Sequence, residues 1–101
     1  RVDSKKLSLE MFHSGKSLVE IARDRGFAKT TIEGHLVHYV GLGKLEVSLF
    51  VTEEKLRKIS SYLESADTRS LGEAKAFFGD DMSYTELRFG LKYLEFLENK
   101  N

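Results

Sequence analysis

The chain has no cysteine, no proline and no tryptophan in its 101 residues. Without cysteine there is no disulfide framework and no thiolate zinc site. The absence of proline, which would kink or break a helix from within, suits a largely helical chain. No apolar run approaches the ~20 residues of a membrane-spanning helix. No segment reads as a secretory signal, so a cytoplasmic location is expected. Net charge is missing too, since 16 basic side chains balance 16 acidic ones. That neutrality is not the footprint of a strong nucleic-acid binder. Residues 1–50 carry +2 and residues 51–101 carry −2, so any anion affinity belongs to the first half. The chain is 41% hydrophobic, enough for one small core. One helical domain over 1–101 is the expectation. The first residue is Arg1 rather than Met, which suggests an excerpt of a longer protein.

Chemistry is also scarce. There is no glycine-rich phosphate loop, no supported nucleophile and base pair, and no metal motif. His35 and His38 lie one helical turn apart, but no third ligand stands at a sensible spacing. Asp80 and Asp81 fall in a turn, where Asp is expected. The chain is therefore expected to be non-catalytic, with no cofactor and no metal.

What is present is organised around 17–40. Ser17 and Glu20 have the spacing of a capping box, a hydroxyl at the helix start and a carboxylate three residues on. Leu18, Ile21 and Ala22 give that helix an apolar face. Gly26 stops it, since glycine accepts the left-handed conformation of a helix end, and Phe27 is the apolar plug after the stop. Thr30 and Glu33 read as a second capping box opening the next helix, whose buried stripe is Ile32, Leu36, Tyr39 and Val40. Small Ala22, Gly26 at the turn and Ile32 beyond it match the helix-turn-helix pattern.

Ser4 is the expected cap of a preceding helix, Lys5 to Ser14, ended by Gly15. A tri-helical unit over 1–43 results, with Gly41 and Gly43 breaking its last helix. Residues 44–51 read as an apolar linker, or less readily as one short wing strand. Thr52 caps a fourth helix with the stripe Leu56, Ile59, Leu63 and Ala66. Ser70 with Glu73, and Ser83 with Glu86, are two more capping boxes. They open a helix to Phe78 and a last helix to about Glu98, with a fraying tail over 99–101. The last helix carries two apolar stripes. Tyr84, Leu87, Leu91 and Leu94 form one; Phe89, Tyr93, Phe96 and Leu97 form the other, and the helix is expected to be well buried. The fold class is thus all-α with about six helices, three of them over 52–98.

Ser17, Glu20, Gly26, Thr30 and Glu33 recur 53 residues later as Ser70, Glu73, Gly79, Ser83 and Glu86. Shared capping grammar accounts for this better than duplication, because Ile32 aligns with Thr85.

The outward face of the helix opened near Thr30 carries Thr30, Thr31, Gly34, Val37 and His38. In a helix-turn-helix the start of this helix enters the major groove. Gly34 costs ~1 kcal/mol against alanine in a helix interior. Either a ligand backbone approaches there, or a neighbouring segment of the chain packs on it. Lys16, Arg23, Arg25 and Lys29 are the cations within reach of phosphates. Glu33 is expected to serve as a cap.

Two resemblances follow from these residues. The run EIARDRGFAKTTIEGHL resembles the response-regulator type of helix-turn-helix. Over nearly its whole length the chain looks more like the helicase helix-turn-helix domain of RecQ-type ATP-dependent DNA helicases. The pieces are GKSLVEIARDRGFAKTTIEGHL, GLGKLEV and GDDMSYTELRFGL. That resemblance implies an accessory module that follows a helicase motor and helps engage DNA or a partner. From their place on the helix-turn-helix, Lys16, Arg23, Arg25, Lys29, Thr30, Thr31, Gly34 and His38 are the candidate DNA contacts, and the low charge makes weak binding the expectation. The alternative is a helical protein-interaction module. A stand-alone transcription regulator is the weaker third choice.

Overall fold

The structure, a computed structural model, describes residues 3–100. Its α-helices are α1 (Ser4–His13), α2 (Leu18–Arg25), α3 (Lys29–Gly41), α4 (Glu53–Ser65), α5 (Leu71–Phe78) and α6 (Tyr84–Asn99). Short 3₁₀ turns cover Val47–Leu49 and Gly79–Asp81. No strand forms among the described residues. The stretch 44–51 is the expected linker, and the wing strand does not form. The chain packs as two compact units that divide between residues 39 and 40, inside α3.

The first unit is built by its helix ends. Asp3, not Ser4, caps α1, accepting from the N–H groups of Lys5 at 3.0 Å and Lys6 at 3.2 Å. Ser4 is already helical, so the cap falls one residue earlier than expected. Ser17 and Glu20 form the full reciprocal capping box of α2. At the other end Gly26 takes the left-handed conformation, φ 72°. The Phe27 N–H reaches the Ala22 carbonyl at 2.9 Å and the Gly26 N–H reaches that of Arg23 at 3.3 Å. This pair of bonds is the Schellman motif, and it reverses the chain. Ile21, Ala22 and Ile32 form the buried centre, with Met11, Phe12 and Leu18 packed on it. Each fully buried Ile contributes about 1.5–3 kcal/mol against exposure.

The start of α3 departs from expectation. The helix begins at Lys29, so Thr30 lies inside it and is not the N-cap. The Ala28 carbonyl instead accepts from Thr31 at 3.0 Å and Ile32 at 3.4 Å. The expected box of Thr30 with Glu33 therefore does not open the helix, and Glu33 is buried, 1% exposed.

The second unit packs α4 and α5 on α6. Thr52 caps α4 as expected, accepting from the Lys55 N–H. Ile59 is fully buried, while Ala66 lies past the helix end in extended conformation. Ser83 and Glu86 form a complete capping box. Ser70 forms half of one, accepting from Glu73, while its own N–H goes to the Thr68 hydroxyl at 3.0 Å. Leu87, Phe89 and Gly90 are buried at the middle of α6, and Phe50 stacks flat on Phe89 at 3.8 Å. Burial does not extend to the helix ends, where Tyr84 and Leu97 are exposed. The close crossing of α4 and α6 needs Gly90: a Cβ there would meet Ile59 Cδ1 at 2.6 Å. α6 runs through Asn99, and Asn101, part of the expected fraying tail, lies outside the described residues.

The 53-residue echo weakens in three dimensions. Gly26 is left-handed at ψ 31°, whereas Gly79 has ψ −132°. Ser83 is an N-cap and Thr30 is not.

Candidate nucleic-acid interface

Helical spacing decides what α3 presents. Ile32, Glu33, Leu36 and Val40 face inward and are buried. Lys29, Thr30, Thr31, Gly34 and His38 are exposed, and they occupy the first turn and the two that follow. A Cβ built on Gly34 would meet no atom within 4 Å. The packing explanation for this glycine therefore fails, and the face over it is open. Glu33 does not offset this surface with an outward negative charge. Its carboxylate points into the unit and lies 3.7 Å from Lys29 Nζ.

The four predicted cations separate into different environments. Arg25 is not available to a phosphate in the way the sequence suggests. Its Nη1 donates to the Ser4 carbonyl at 2.7 Å and to Ser8 Oγ at 2.6 Å, and its Nη2 donates to Ser4 Oγ at 2.9 Å. The guanidinium also lies 4.8 Å from the ring centroid of Phe27, which is 41% exposed. Arg25 is thus a clamp between α1 and α2. Lys16 pairs with Asp24 at 2.7 Å, and Arg23 lies 3.6 Å from the same carboxylate. The hydrogen bond and charge of Asp24 raise the Lys16 pKa, and the Lys16 hydrogen bond lowers that of Asp24. Arg23 is the most open of the four, 70% exposed, and Lys29 follows at 49%.

Sequence reasoning missed the polar centre of this unit. Ser8 is fully buried, and its Oγ lies 2.8 Å from His35 Nδ1. A guanidinium only donates. Ser8 satisfies both neighbours by accepting from Arg25 and donating to Nδ1, which leaves the His35 proton on Nε2. Burial first, then the charges of Arg25 and Lys5, hold the His35 pKa below its usual value; Asp3 opposes them. No local pattern signals this polar centre, since the serines stand far off in sequence.

His38 is exposed, with its ring edge-on to Tyr39 at 5.2 Å. No group of three or more His, Cys, Asp or Glu placed to hold an ion is found among the described residues. No helix among them is long and apolar enough to cross a membrane.

The outward face of α3 is therefore flat at Gly34, hydroxyl-bearing at Thr30 and Thr31, and flanked by Lys29 and His38. A family model described as a helix-turn-helix domain matches residues 4–91. Comparison with curated proteins and with solved structures returns no significant match.

Proposed function

The chain belongs to the helix-turn-helix domain family, and from that membership we propose that it is a non-catalytic nucleic-acid-binding module that presents α3 to the major groove of DNA. The observation that carries the reading is the open Gly34 on the outward face of α3, whose own one carboxylate, Glu33, is buried. A groove-facing helix needs close approach without repulsion, and this face provides both. The finer reading is an accessory domain of a RecQ-type ATP-dependent DNA helicase, resting on GKSLVEIARDRGFAKTTIEGHL, GLGKLEV and GDDMSYTELRFGL. In that role the motor domain is its covalent partner, and the module works in the cytoplasm without a cofactor of its own. It neither binds nor hydrolyses ATP; saturable nucleotide binding at micromolar concentration would overturn this.

Fluorescence anisotropy with a labelled duplex at low salt tests the DNA reading. Replacing Arg23 and Lys29 together by alanine weakens binding to all sequences alike, by about tenfold or more, because phosphate contacts position without specifying. Arg69→Ala, which removes a surface pair with Glu98 in the second unit, leaves it unchanged. A second reading, a protein-interaction module, draws on the pairing of Lys16 and Lys29 with carboxylates. The absence of duplex binding at low salt would favour it.

A further inference from the structure

The second unit carries an aromatic corner that no part of the α3 reading uses. Phe77, on the last turn of α5, is 66% exposed, more than any other large apolar side chain among the described residues. Its ring centroid lies 4.8 Å from that of Tyr62 on α4 and 4.9 Å from that of Phe78, at 39° and 86°. Tyr62 and Phe78 are 5.5 Å apart. The rings are splayed rather than stacked flat, so they do not consume one another's faces. Beside them α4 and α5 enclose an open cleft of about 680 Å³.

The α4 wall of that cleft is polar. Arg57, Lys58, Ser61 and Tyr62 follow one another at helical spacing along it. Ile59 is buried between them, on the side of α4 that packs on α6. No Leu, Ile, Val or Met lines the cleft. An amphipathic partner helix is gripped by apolar anchors at successive turns, and this wall offers no Leu, Ile, Val or Met to receive them. Rings beside cations and hydroxyls match a different ligand. Bases stack on aromatic faces whatever their sequence, and cations track the backbone. Arg57 is free to exchange its partner: its 2.9 Å pair with Glu53 is at the surface, with the two side chains 67% and 89% exposed, and such pairs hold weakly. Glu54 also lines the cleft and opposes an anion, which limits affinity.

We propose that the cleft between α4 and α5 is a stacking platform for single-stranded nucleic acid, with Phe77 receiving a base and Arg57 and Lys58 the flanking phosphates. This platform lies in the second unit and does not depend on α3.

Anisotropy of the full chain with a labelled oligothymidylate of about 12 nucleotides tests it, with the duplex titrated in parallel. Phe77→Ala weakens single-strand binding about tenfold and leaves duplex binding unchanged. Phe77→Leu, which keeps an apolar side chain but has no π face, weakens it as much. An abasic strand of the same length binds weakly and equally to all three proteins. Replacing Arg57 and Lys58 by alanine lowers the slope of log affinity against log salt by about 1.4, from ~0.7 per phosphate on a single strand. Full single-strand binding by Phe77→Leu, or binding of the abasic strand as tight as that of the normal one, overturns the proposal. So does a concentration-dependent dimer in sedimentation that Phe77→Ala abolishes, because the corner is then a contact between copies. Failure of the duplex arm alone bears on α3 and leaves the platform standing.

Discussion

At the residue scale, two glycines of similar sequence context have opposite meanings. Gly34 and Gly90 both sit inside helices. An added Cβ at Gly34 meets nothing, while one at Gly90 meets Ile59 at 2.6 Å. Gly34→Ala is therefore expected to stabilise the chain by about 1 kcal/mol, the helix-propensity difference. If α3 faces DNA, the same substitution weakens duplex binding. Thermal melting and anisotropy on one variant separate these effects: a gain in stability with a loss of binding marks Gly34 as kept for approach. A gain in stability with unchanged binding takes the groove away from this face. Gly90→Ala is expected to destabilise by about 1–3 kcal/mol, the usual cost of overpacking, measured by denaturant unfolding.

His35 gives a second residue-scale test, and its sign is fixed by physics. Its folded pKa lies below the unfolded value of 6.5, because burial and then the charges of Arg25 and Lys5 disfavour the imidazolium. Well above pH 6.5 both states hold a neutral ring and stability is complete. As pH falls through 6.5 the unfolded chain binds a proton that the folded chain resists. Stability is therefore lost progressively below pH 6.5. The carboxylates with lowered pKa, Glu20, Asp24 and Glu86, act in the same direction but only near and below their ordinary values of about 4. The melting temperature is thus expected to fall between about pH 6.5 and 5. His35→Gln keeps an acceptor for the Ser8 hydroxyl and cannot titrate, so it flattens that decline. An unchanged decline in the variant would assign the effect elsewhere.

At the element scale, helix starts are the parts of this fold most legible in the sequence, because a cap is a local device. Ser17, Thr52, Ser70 and Ser83 all accept from the N–H three residues on. Thr30 has the same spacing to Glu33 yet lies within α3. That helix starts one residue earlier, at the end of a three-residue turn set by Gly26, and its inward side buries Ile32 and Glu33. Tertiary packing overrode the local pattern there. A pair of substitutions checks the distinction. Ser17→Ala is expected to cost about 1 kcal/mol, whereas Thr30→Ala costs a few tenths at most or gains slightly from helix propensity. Equal losses in equilibrium unfolding would return Thr30 to a capping role. Arg25 was illegible for another reason. Its acceptors stand 21 and 17 residues away, at Ser4 and Ser8, and no local pattern announces a contact of that range.

At the scale of the whole molecule, charge is the property that separates a strong DNA reader from a weak one. The chain is neutral overall, and the structure withdraws one of its candidate cations. With Arg25 held by Ser4 and Ser8, Lys16, Arg23 and Lys29 remain for phosphate. All three must leave a carboxylate to engage it, Lys16 and Arg23 from Asp24 and Lys29 from Glu33. Each phosphate neutralised on a duplex adds ~0.9 to the slope of log affinity against log salt. The expected slope is therefore roughly 2 to 3. Arg23→Ala removes about 0.9 of it, because this side chain is the most open. Arg25→Ala destabilises the fold by freeing buried Ser8, yet leaves the slope where it was. Asp24→Asn acts in the other direction: it releases Lys16 and Arg23 from their shared counter-ion and tightens duplex binding without a new contact. Anisotropy titrations at several salt concentrations read all three. A slope of about 4 or more, or one that drops with Arg25→Ala, would mean that the clamp opens on DNA and that Arg25 reaches the backbone after all.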